Sequence, residues 1–100
     1  MPTKLVSPGK FRKILHPFPR HGTVEISVEA SAPIDIYILD EADLPAFRRG
    51  ESFEGFTFRG RDHLDRKLDL SSKLSGDDGW YLILDNVSDR PVAVHYEVYY

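Results

Sequence analysis

Apolar and polar residues alternate with a period of two over several stretches of this chain, the pattern of strands that bury one face and wet the other. Val24, Ile26 and Val28 alternate with Glu25, Ser27 and Glu29. Ser31, Ala32 and Pro33 interrupt the run, and Ile34, Ile36 and Ile38 resume it. The two runs predict an antiparallel pair with a turn between them. The last strand is the clearest: Val92, Val94, Tyr96, Val98 and Tyr100 share one face, and Ala93, His95, Glu97 and Tyr99 the other. Before it, residues 80–84 (WYLIL) are apolar on both faces, as a central strand is. A hairpin loop at 85–91 is expected to join these two strands. Further strands are predicted around 64–70, where Leu64, Arg66, Leu68 and Leu70 share a face, around Phe53, Phe56 and Phe58, and at 10–15.

One segment has helical spacing. Within residues 41–49, Leu44 and Phe47 lie three apart, Asp43 offers a cap, Pro45 suits the first turn, and Gly50 ends it. The expected architecture is therefore all-β: an antiparallel two-sheet β-sandwich, jelly-roll or Ig-like, with one short helical insert. Its 100 residues make one domain, with residues 1–22 as a basic N-terminal arm and first strand.

Three segments carry a family likeness: an "AP-IDIYIL" strand at 32–39, "G-WYLILDN" at 79–86 and "VAVHYEV" at 92–98. With the amphipathic strand before them, they resemble the small sandwich domains grouped around the GOLD domain and the bacterial pre-peptidase C-terminal domain. The resemblance covers about three-quarters of the chain and includes no catalytic motif. It implies a non-catalytic accessory or protein-interaction module.

Composition narrows the chemistry. There is no cysteine, which removes disulfides and thiolate metal sites. No apolar stretch approaches the length of a membrane-spanning helix, so membrane insertion is not expected. If Met1 is the native start, the lack of an apolar leader predicts a cytoplasmic protein; otherwise the sequence assigns no location. Residues 1–22 hold five cations and no acid, whereas 23–100 hold sixteen acids against eight cations, a net −8. That acidic body argues against nucleic acid, although Phe56, Phe58, Arg59 and Arg61 have the aromatic-plus-basic character of a base-stacking strand.

The four histidines, at 16, 21, 63 and 95, include no pair with the HxH or HxxxH spacing that puts two ligands on one element, so no metal or other cofactor is predicted from them. Asp77 and Asp78, in a glycine-flanked loop, are the calcium candidates. No serine sits in a nucleophile elbow, and no enzyme activity is expected. His95, Tyr99 and Tyr100 are the candidate interaction residues, because exposed tyrosines combine contact area with a hydroxyl. A C-terminal strand ending at Tyr100 also suggests an open edge for pairing with a partner strand. The expected function is binding of another protein, or of a second copy, through a sheet face or edge. The alternative is a sandwich that binds carbohydrate or calcium.

Overall fold

The computed structural model describes residues 3–74 and 79–99. Its strands are β1 (Thr3–Val6), β2 (Phe11–His16), β3 (Thr23–Leu39), β4 (Phe56–Asp69), β5 (Trp80–Asp85) and β6 (Val92–Tyr99). The insert is a 3-10 turn (Glu41–Asp43) running into α1 (Leu44–Arg48). The fold is mostly β, antiparallel, with one short helix.

Hydrogen bonding joins all six strands in a single sheet, ordered β1-β6-β3-β5-β2 with β4 on the other side of β3. The sheet folds over until it is nearly barrel-shaped. The reason lies in β3. The two predicted runs at 23–29 and 34–39 are one strand of 17 residues, not a hairpin. A tight hairpin needs residues with positive φ, and among the described residues only glycines have one. Ser31, Ala32 and Pro33 are instead absorbed in a bulge. β3 advances from Glu29 to Ile34 while its partner β4 advances only from His63 to Arg61. Pro33 has no N–H to give a ladder, and a bulge is where a strand tolerates that. The Ser31 hydroxyl accepts a hydrogen bond from the Ala93 N–H at 3.0 Å, near the start of β6.

β4 bends beside it. The strands predicted around Phe53, Phe56 and Phe58 and around 64–70 are also one, with Phe53 left outside it, kinked at Gly60, whose φ of 64° is out of reach for most side chains. The Asp35 carboxylate accepts from the Gly60 N–H at 3.0 Å and fixes that kink.

Past the bulge, the other side of β3 changes partner. Residues 25–30 pair with β6, and residues 35–39 pair with β5. β5 and β6 therefore lie end to end along β3, and residues 86–91 cross from one to the other instead of forming the expected hairpin. β1 pairs with β6 from Thr3–His95 to Val6–Val92, so that stretch of β6 is not the open edge the sequence suggested. Edge positions fall to β1, β2 and β4.

The inner faces of both halves share one core. Ile26, Val28, Ile36, Leu82, Leu84 and Val94 are all inaccessible to solvent, and Trp80 and Tyr96 fill it as their strand positions predict. Arg66, on the same face as Leu64 and Leu68, stays exposed, with its guanidinium over the Phe58 ring.

The crossover is pinned by Asn86, which is fully buried. Its side-chain amide donates to the carbonyls of Val6 (2.9 Å) and Arg90 (2.6 Å), and its Oδ1 accepts from the Ser88 N–H (3.0 Å) and hydroxyl (2.6 Å). Its backbone accepts from Gly9 N–H and donates to the Lys10 carbonyl. One residue thus ties the end of β1, the β1–β2 turn and the crossover loop. Asn86→Ala should destabilise the fold by about 2–4 kcal/mol in urea unfolding, since buried carbonyls lose their donors, whereas Ser88→Ala should cost about 1 kcal/mol. Equal effects of the two substitutions would show that Asn86 has no such role.

Candidate functional site

Alternation places a second set of side chains on the outer face of the β2-β5-β3 half. Cross-strand register aligns Phe11, Asp85 and Asp35 in one row, Lys13, Ile83 and Tyr37 in the next, and Leu15, Tyr81 and Leu39 in a third. Ile83 and Leu39 are apolar and outward-pointing, which explains why residues 80–84 read as buried on both faces. They are covered by the insert: Leu44 packs with Tyr37, Leu39 and Ile83, and Phe47 and Phe53 close over them.

A helix of five residues has no stability of its own, so this packing and its caps hold it. The cap differs from the expected one. Asp43 makes no side-chain capping bond, and it is the Asp40 carboxylate, one turn earlier, that accepts from the Asp43 N–H at 3.1 Å. At the other end Gly50 takes φ 70°, and its N–H donates to the Phe47 carbonyl while that of Glu51 donates to Ala46. This paired closure ends the helix sharply. Tyr81 donates its hydroxyl proton to Glu41 at 2.5 Å and tethers the start of the insert to β5.

Between the C-terminal end of α1 and the sheet lies a cleft of about 340 Å³. Phe11, Tyr37, Phe47 and Phe53 supply its aromatic carbon, with Phe11 edge-on to Phe47 at 5.1 Å and Tyr37 edge-on to Phe47 at 4.9 Å. Arg48 and Arg59 line it as cations, and Asp85 and Glu51 as anions, with Glu51 paired to Arg49 at 2.7 Å. Arg59 stands 5.8 Å above the Tyr37 ring. A neighbouring hollow of about 300 Å³ shares Phe53 and Arg59 and reaches Ser52 and Thr57, so the two form a groove along the insert.

The groove's electrostatics centre on two carboxylates opposite each other in the ladder. Asp35 is buried and accepts from Gly60 N–H and, at 3.4 Å, from the Tyr37 hydroxyl. Burial raises the pKa of Asp85, the charge of Asp35 adds to this, and Arg59 opposes it. Burial also raises that of Tyr37, again with Asp35 contributing, so its phenol stays a donor. Such a site offers rings for an apolar or flat group, guanidinium donors for a carboxylate or hydroxyl, and carboxylate acceptors in Asp85 and Glu51. The described lining of the cleft includes no serine, cysteine or histidine to act as nucleophile or imidazole base.

The residues singled out from sequence lie elsewhere. Asp77, Asp78 and Tyr100 fall outside the described residues. His95 and Tyr99 are exposed on the outer face of the other half, Tyr99 at 51%. Four residues of strand, about 13 Å, separate them. His95 Nδ1 meets Thr3 Oγ1 at 2.7 Å, while Tyr99 borders a hollow of about 290 Å³ with His21, Glu25 and Lys67. His16 stacks on Trp80 with ring centres 4.7 Å apart, and burial lowers its pKa. In the orientations seen, no three His, Asp or Glu side chains among the described residues stand close enough to hold a metal ion.

The groove was visible in sequence only in fragments. The aromatic-plus-basic stretch at 55–61 serves two purposes: Phe56 and Phe58 pack against the core, and Arg59 faces the groove. Asp35, the one acid among the apolar residues 34–39, carried a signal too. No local pattern brings it opposite Asp85.

A carboxyl beside the insert's cap also titrates. Burial, then the charge and side-chain contact of Asp40, push the Asp43 pKa from 3.8 to about 6, with Glu54 adding to the rise. A carboxyl whose pKa is higher in the folded state binds its proton more tightly there, so its contribution falls as pH rises through that window. Asp43→Asn should therefore be more stable than wild type at about pH 7.5, and this advantage should shrink away by about pH 4 in urea unfolding. A difference independent of pH would rule out the shift.

No known family model matches this chain, and no curated protein does either.

Proposed function

We propose that this chain is a non-catalytic binding module that holds a segment of a partner protein in the groove between α1 and the outer face of the β2-β5-β3 half. The observation that carries this reading is the convergence of four aromatic rings with Arg48, Arg59 and Asp85 in one open cleft. Phe11 and Leu15 extend the same face as exposed apolar residues on edge strand β2, at 39% and 60% exposure. Aromatic and arginine side chains are the residue types that dominate binding energy at protein interfaces. The segment that suits the groove presents an apolar or aromatic side chain beside a carboxylate.

The accompanying fold reading is a two-layer sandwich of the GOLD and pre-peptidase C-terminal kind. Its support is the 17 Å shortest extent of the body and the shared core between the two halves. Carbohydrate is the second reading, favoured by the combination of rings with Asp85 and Arg59, since sugars stack their C–H faces and hydrogen-bond their hydroxyls. The calcium reading rests on Asp77 and Asp78 alone.

The two outer faces are separable by substitution. Capture from host lysate should recover the same protein with wild type and with a His95→Ala, Tyr99→Ser variant, and lose it by at least about tenfold with Phe11→Ser, Arg48→Glu. Circular dichroism should show all three folded. Loss in the His95, Tyr99 variant with retention in the groove variant would move the interface to the other face. A melting shift with oligosaccharides and no captured protein would favour the sugar reading.

A further inference from the structure

The outer face of the β1-β6-β3-β4 half is polar apart from Leu5, Ala93 and Tyr99, and the ladder gathers its ligand-type side chains into a row. Thr3 lies opposite His95, His95 opposite Glu29, and Glu29 opposite His63. Thirty-two positions separate His63 from His95 in the chain, which is why no sequence spacing revealed them together. We propose that His63, Glu29 and His95 form a binding site for a divalent zinc-type cation.

Directly opposed residues have Cβ atoms about 4.5–5.5 Å apart, so one imidazole flanks the carboxylate on each side. All three side chains are exposed and on one face. His63 Nδ1 is already 3.9 Å from Glu29 Oε1. Two ligands of a tetrahedral ion, with bonds of about 2.0–2.1 Å, stand about 3.3–3.5 Å from each other, so that pair needs only a small closure. The other ring nitrogen of His63 is 3.8 Å from Asp65 Oδ2, too long for a hydrogen bond and placed to orient the imidazole once it is ligated. His95 meets Thr3 through Nδ1, which leaves Nε2 as its ligand atom. Its ring must turn to complete the set, and exposed side chains change rotamer within nanoseconds. Imidazole nitrogens with a carboxylate suit zinc and its neighbours better than calcium, which prefers oxygen alone. Three protein ligands leave an open position for water or for a donor from another molecule.

The test is isothermal titration of the untagged chain with zinc chloride, with cobalt absorption as a second readout. The expected result is one ion bound per chain in the micromolar range. His63→Ala, His95→Ala and Glu29→Gln should each weaken binding at least about tenfold, while His21→Ala leaves it unchanged. Cobalt should give the visible absorption of a four- or five-coordinate ion with wild type and lose it with His63→Ala. Absence of binding at millimolar zinc would overturn the proposal, as would binding that survives both histidine substitutions. The residues are exposed, so unchanged circular dichroism of each variant separates loss of the site from loss of the fold.

Discussion

The structure depends on β3 staying paired through its own bend. A strand that turned back at Ser31, Ala32 and Pro33 would pair with itself and leave β5 and β6 to pair with each other. Because β3 bulges instead, it holds β4 along one side and offers two successive edges on the other, one to β6 and one to β5. The bulge directs the two inner faces at one another, and the isoleucines on either side of it enter the same core. The polar groups freed by the distortion are used locally. Ser31 serves Ala93, and Asp35 serves Gly60. Without such partners, a bulge beside a core would carry unmet backbone groups at a cost of about 1–3 kcal/mol each.

The same bend separates two outer surfaces of different character. On the β2-β5-β3 side, outward apolar residues must be covered, and the insert between β3 and β4 covers most of them. The incomplete cover leaves the groove. On the β1-β6-β3-β4 side no insert is present among the described residues, and the outward positions are polar: Glu25, Ser27 and Glu29 from β3, His63, Asp65 and Lys67 from β4. One surface therefore suits contact through rings and guanidinium groups, and the other suits ions and water. The basic character of residues 1–22 falls largely on β1 and β2, which bracket the open side of the sheet. There Arg12 donates to the Leu5 carbonyl at 3.2–3.3 Å and links the two edge strands.

Strand content, the faces of β5 and β6, and the place of the insert were legible in the sequence because each follows from local alternation or helical spacing. Trp80, Tyr96 and Tyr99 take the sides their positions predict. Pairing was not legible. Pro33 reads as a turn in isolation and becomes a bulge only because β4 offers a continuous partner. Residues 85–91 read as a hairpin loop until Asn86 is seen to bond to Val6, eighty residues away. Short β1 escaped notice because Thr3, Lys4, Leu5 and Val6 alternate too briefly to signal a strand. The candidate sites follow the same rule: Asp35 lies opposite Asp85, and His63 and His95 lie on either side of Glu29, only through the register of β3.

The account's central claim is that recognition belongs to the groove beside α1. The most direct measurement is a two-dimensional NMR titration of the isotope-labelled chain with the protein it captures. The account predicts shifts concentrated at Phe11, Tyr37, Phe47, Phe53 and Arg59, with the amides of His95 and Tyr99 unmoved. Shifts centred on His95 and Tyr99, with the groove silent, would contradict it.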